Sequence, residues 1–135
     1  MSAPLLRRSM LAASMLATLA GCASQQYQPQ YLNGQVVLKQ AASLPLATTL
    51  VRVRLLDDNT QADAPARLLA EQTLEKPAAF PLNFSLCYDK HAIQPGGSYS
   101  LQAQVYVDGE LRLQNTGRIN AFSVKQPQLQ VELIK

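Results

Sequence analysis

The sequence predicts an all-β fold, a two-layer antiparallel β-sandwich of about seven to eight short strands. Three observations carry that expectation. Apolar residues recur at every second position through most of residues 34–135, the spacing of a strand with one buried face. Turn signals such as Asp108-Gly109 and Pro95-Gly96-Gly97 punctuate these runs. No long stretch after residue 21 repeats its apolar residues at helical spacing. Strands with one apolar face must bury it against another layer, and two stacked antiparallel sheets do so.

The elements follow in order. Gly34 to Gln40 reads as the first strand. In Val51-Arg52-Val53-Arg54-Leu55 the apolar residues take one face and the arginines the other. Asp57 to Pro65 reads as a loop. Arg67 to Glu75 is open between two states: Leu68 to Leu74 suits a strand, while its Leu/Ala/Glu content suits a short helix. Phe80, Leu82, Phe84, Leu86 and Tyr88 share one face of the next strand, with Asn83, Ser85 and Cys87 on the other. Tyr99, Leu101, Ala103, Val105 and Val107 point inward in the run that ends at the Asp108-Gly109 turn. The chain returns through Leu111 and Leu113. Ile119 to Val124 is a further strand, and Gln128 to Ile134 the last, with Leu129, Val131 and Leu133 inward.

Residues 1–21 stand outside this pattern. Arg7 and Arg8 precede an uncharged apolar run, Met10 to Ala20. The run is shorter than the ~20 residues a membrane-spanning helix needs, so it reads as a cleaved leader. The residues after the arginine pair fit a twin-arginine signal poorly, which favours general secretion. The leader ends in Leu19-Ala20-Gly21-Cys22, which resembles the lipobox of bacterial lipoproteins. That resemblance makes Cys22 the lipid attachment site: its thiol accepts diacylglycerol, and acyl chains such as palmitate hold the mature N-terminus in the membrane. Ala23-Ser24, with no Asp after the Cys, points to the outer membrane, facing the periplasm. Residues 22–33, Gln/Tyr/Pro-rich and uncharged, read as a flexible lipidated tether. Eleven extended residues reach at most ~36 Å, enough to hold a domain at 34–135 clear of the bilayer.

Composition excludes several classes. The formal charge of +3 includes Arg7 and Arg8; without them ten basic side chains face nine acidic ones. A near-neutral domain gives no electrostatic case for nucleic acid. With Cys22 carrying lipid, Cys87 has no partner within the mature chain. It is open to intermolecular pairing or, more usually, to packing as a small residue in or beside the core.

No catalytic or metal-binding set is expected. His91 is the sole histidine, in a predicted loop. No G-x-S-x-G elbow is present, and one His with one free Cys cannot supply the three or four ligands of a zinc site. Asp57 to Asp63 faintly suggests a calcium loop, but Ala62 stands where such loops need Gly and Leu68 where they need Glu. A polar turn is the simpler account, and no cofactor is expected beyond the lipid. Gln102, Gln104, Tyr106, Arg112, Gln114, Gln130 and Glu132 should share or neighbour one outward face, read as a solvated sheet face or, alternatively, a docking face.

Leu44-Pro45-Leu46-Ala47, Leu50 to Asp57, Phe80-Pro81-Leu82-Asn83-Phe84, Tyr88-Asp89, Ile93 to Ala103 and Gly109-Glu110-Leu111 together resemble the YbaY/YscW-like lipoprotein family, over roughly residues 34–134. The resemblance implies a small β-sandwich lipoprotein without enzymatic activity. It also implies a role like that of type III secretion pilotins of the YscW/ExsB type. Such a protein binds the C-terminal region of a secretin subunit and, with the lipoprotein sorting machinery, aids its outer-membrane targeting and ring assembly. The alternative within the resemblance is a general envelope lipoprotein that stabilises an outer-membrane assembly or binds an envelope ligand. No secretin-contacting residue follows from it.

Overall fold

Alternation does set the inner and outer faces. The computed structural model describes residues 26–59 and 64–134, and eight strands form among them. These are β1 (Pro29–Leu38), β2 (Thr49–Asp57), β3 (Arg67–Glu75), β4 (Leu82–Asp89), β5 (Tyr99–Val107), β6 (Glu110–Asn115), β7 (Ile119–Asn120) and β8 (Gln128–Leu133). Val51, Val53 and Leu55 of β2 face inward, as do Phe84 and Leu86 of β4, and Leu101, Ala103 and Val105 of β5. Each fully buried Leu or Val stabilises the fold by ~1.5–3 kcal/mol relative to exposure.

Seven strands follow one hydrogen-bonded path, β3-β2-β5-β6-β8-β1-β4, and β7 pairs with the start of β5. Every pair is antiparallel except β1 with β8. The two ends of the path, β3 and β4, lie side by side, and the pairing sense makes them antiparallel. The result is one nearly closed, barrel-like sheet, and the expected two-layer sandwich is not confirmed. Register shifts at Leu55/Leu56 and Val105/Tyr106 have the physical effect required: a bulge bends its strand and sharpens the twist, so one sheet can curl around its own apolar face.

Turn chemistry follows the sequence. Asp108 and Gly109 both have positive φ, 53° and 81°, as a two-residue hairpin turn requires. Gly97 N–H donates to Gln94 O at 2.9 Å, and Gly96, at φ 78°, takes the turn position that only glycine occupies without strain.

Four expectations change and one open choice, Arg67–Glu75, is decided. β1 begins at Pro29, so residues 29–33, assigned to the tether, are paired with β4 from Asp89 to Ser85. Arg67–Glu75 is a strand, because pairing along β2 outweighs helix-prone composition. The expected strand 119–124 is limited to Ile119–Asn120, and Ala121 to Pro127 turn back toward β8. Leu133, expected inward, ends β8 and is 60% exposed. Cys87 is exposed on the outer face of β4 rather than packed in the core. Cys22, residues 1–21 and positions 60–63 of the Asp57–Pro65 loop lie outside the described residues.

Candidate functional site

The seam where the barrel almost closes is the most distinctive surface. Backbone N–H and C=O of one residue point to the same side of an antiparallel strand, and alternate residues point to opposite sides. Lys90 N–H, just past β4, donates to Gln28 O on the β1 side at 2.8 Å. Asn83, Ser85 and Cys87, of opposite parity, therefore offer their backbone groups to β3. No ladder joins the two strands among the described residues. Instead Ser85 N–H donates to the side-chain Oε1 of Gln72 at 2.7 Å. Gln72 lies opposite the buried Val53 in the β2–β3 register, so its amide reaches from the inner face of β3 to cap a strand edge.

A cleft of about 460 Å³ opens beside this cap. Its walls carry Asn33 and Gln35 of β1, Asn83 and Ser85 of β4, Gln72 of β3, Gln126 just before β8 and Gln128 at its start. Gln35 Nε2 donates to Asn83 Oδ1 at 3.0 Å. The floor is Gly34 over the Phe84 ring. A Cβ on Gly34 would stand 2.6 Å from Phe84 Cζ and 2.4 Å from the Pro127 carbonyl oxygen, so only glycine fits. The cleft residues include no charged side chain, histidine or cysteine. Each amide presents donors and an acceptor, a surface suited to a neutral polar or extended peptide chain, and the lining holds no base that could activate the Ser85 hydroxyl.

The outward face expected from the later strands also assembles. Gln104 pairs with Gln114, and Gln114 with Glu132, across β5, β6 and β8. β2 extends it: Arg54 Nε bonds Glu71 at 2.8 Å, and the Arg52 guanidinium lies 5.2 Å from the Tyr106 ring centre. Tyr106 Oη donates to Gln104 Oε1 at 3.3 Å, Lys39 pairs with Glu132 at 2.9 Å and Arg112 with Glu110 at 3.3 Å. These residues largely satisfy one another, as a solvated sheet face does.

The remaining candidates are structural. His91 sits in a 3₁₀ turn, Lys90–Ala92, whose N-cap Asp89 accepts from its N–H at 3.1 Å. That bond first, with help from Gln28 N–H and the imidazole, holds Asp89 below the usual carboxylate range. Asp57, head of the suggested calcium loop, accepts from Asn59 N–H and Nδ2, both at 2.8 Å, and pairs with Arg67 at 3.3 Å. No group of three metal-ligating side chains gathers among the described residues. No helix among them is long and apolar enough to cross a membrane. Sequence reading missed Gln72, Asn33, Gln35 and Gln126, since nothing in alternation says which two strands will meet at a seam.

Comparison with known proteins gives the setting. The family described as Type III secretion system lipoprotein chaperone (YscW) matches residues 27–133. Among solved structures the fold resembles an alternative pilotin from the type II secretion system of Vibrio cholerae, with TM-score 0.67 and 30% sequence identity. That likeness covers 79% of this chain and 96% of that one. A 9R-lipoxygenase from Cyanothece PCC8801 matches at TM-score 0.35 and 14% identity, over 86% of this chain and 19% of that one, too remote to bear on fold or activity. No curated protein sequence gives a significant match. With residues 27–133 matched, most of its length, the chain belongs to the YscW family of type III secretion system lipoprotein chaperones.

Proposed function

We infer that this protein is a pilotin: an outer-membrane lipoprotein, anchored through lipid on Cys22 and facing the periplasm, that binds the C-terminal region of a secretin subunit. It aids the subunit's outer-membrane targeting and ring assembly in type III secretion, without catalysis and with no cofactor beyond the lipid. The observation that carries this reading is the likeness to a solved pilotin over nearly the whole of that chain, joined to the family match. The mechanism is physical. The lipid and the lipoprotein sorting machinery supply the address, and the barrel supplies the grip. The amide-lined cleft and the β4 edge at Asn83 and Cys87, which flank the Gln72 cap on Ser85 and pair with no strand on that side among the described residues, suit an extended segment held through its backbone.

The test is capture from envelope extracts of cells that carry a secretion apparatus, using the full-length protein as bait. Recovery of a type III secretin subunit, and its loss with a Gln35→Glu/Asn83→Asp bait that places charge in the cleft, is the expected result. Recovery of a type II secretin would move the protein to that system. Recovery of no secretin would leave a general envelope lipoprotein.

A further inference from the structure

The tether is much shorter than its composition suggests. Residues 29–33 belong to β1, and Lys90 N–H bonds the Gln28 carbonyl. Only residues 23–25 separate Cys22 from the described chain, so Cys22 lies within ~14 Å of Gln26 even when fully extended. A lipid on Cys22 therefore draws one end of the barrel to the bilayer.

That end has a distinct surface. The start of β1, the ends of β2 and β4 and the starts of β3 and β5 share it, since Asp57 pairs with both Tyr99 and Arg67, and Asp89 with Pro29. The β7–β8 connection leaves at the same end. Of the seven large apolar or aromatic residues exposed among the described ones, five lie there: Tyr27, Tyr31, Leu68, Phe122 and Val124. Leu133 and Ile134 lie at the other end. Phe122 is held edge-on against Tyr88 and Tyr99, each at 5.8 Å, so it is a fixed projection. Lys90 and Lys125 are exposed beside these residues and form no ion pair among the described ones. Tyrosines with an apolar body and a polar tip favour the bilayer interface, and lysines favour anionic headgroups.

We propose that this end of the barrel lies directly on the phospholipid surface that holds the Cys22 lipid, so that the domain is docked rather than dangling. The amide cleft, on the side wall, then faces sideways along the membrane at a fixed height. The inference rests on the reading of Cys22 as the lipid site.

The chain contains no Trp, so one introduced indole reports alone. The mature lipoprotein, as Tyr31→Trp, Val124→Trp or Leu133→Trp, is reconstituted in phosphatidylethanolamine–phosphatidylglycerol vesicles with brominated acyl chains. Quenching and a blue shift at 31 and 124, with Leu133→Trp unchanged, is expected. Amide exchange of residues 27–31 and 121–125 in the unsubstituted protein should also slow in vesicles relative to detergent. An acylated protein with no quenching at any position, or equal quenching at 133, overturns the proposal. So does cross-linking that shows the patch covered by a second copy. The mass of the N-terminal peptide is read on the same sample: a peptide without acyl chains overturns the Cys22 reading itself.

Discussion

Replacing Gln72 with Met keeps the length and most of the volume of the side chain but removes the acceptor that caps Ser85. The lost bond is short, 2.7 Å from Ser85 N to Gln72 Oε1. An N–H left without a partner costs ~1–3 kcal/mol when buried. Ser85 is exposed and Gln72 half-buried, so water reaches the orphaned group and the lower bound applies, ~1 kcal/mol. For a domain of this size that corresponds to a fall in Tm of ~4 °C. Urea denaturation of wild type, Gln72→Met and Gln72→Glu reads the stability, and hydrogen exchange reads the edge itself. The Ser85 amide should exchange ~5-fold faster in Gln72→Met, while Gln72→Glu, which keeps a carboxylate acceptor, preserves protection. If Gln72→Met matches wild type in both stability and Ser85 protection, the seam is not held by this side chain, and the account of a capped strand edge fails.

Three further outcomes are expected. Gly34→Ala should cost ~3 kcal/mol, the upper end for overpacking, because the Pro127 carbonyl at 2.4 Å cannot yield as a side chain would; urea midpoints measure it. Asp57 is held below the usual carboxylate range, first by Asn59 N–H and further by the Asn59 amide and Arg67. A depressed folded-state pKa stabilises above the unfolded value, and that stabilisation disappears as pH falls through the folded value. Wild type should therefore lose Tm below pH ~4, and Asp57→Asn should show a flatter profile, with a residual slope from Asp89. Cys22→Ala should still capture its partner in solution while sending it to the wrong membrane, as fractionation would show; capture lost together with the lipid would contradict the division between address and grip.

The faces of the strands were legible in the sequence, because alternation depends only on which residues are apolar. The inward sets of β2, β4 and β5 stand as alternation places them. The start of β1 was not legible. Leu32 and Val36 point inward, but Gly34 between them breaks the pattern, since the Phe84 ring fills the space its side chain would occupy. A glycine that reads as the first residue of a strand is thus the middle of one. Closure into a barrel was hidden for another reason. Alternation is the same in a sandwich and a barrel, and only the parallel β1–β8 pairing and the bulges bring β3 beside β4. The polar outer face was visible as a set of residues. The amide cleft draws on four separate segments and was not.

Removal of the gene from cells with an active secretion apparatus, followed by membrane fractionation of the secretin, tests the central claim most directly. The account predicts secretin monomers in the inner membrane and few outer-membrane rings, restored by the wild-type gene and not by Cys22→Ala. Normal outer-membrane rings in its absence would contradict it.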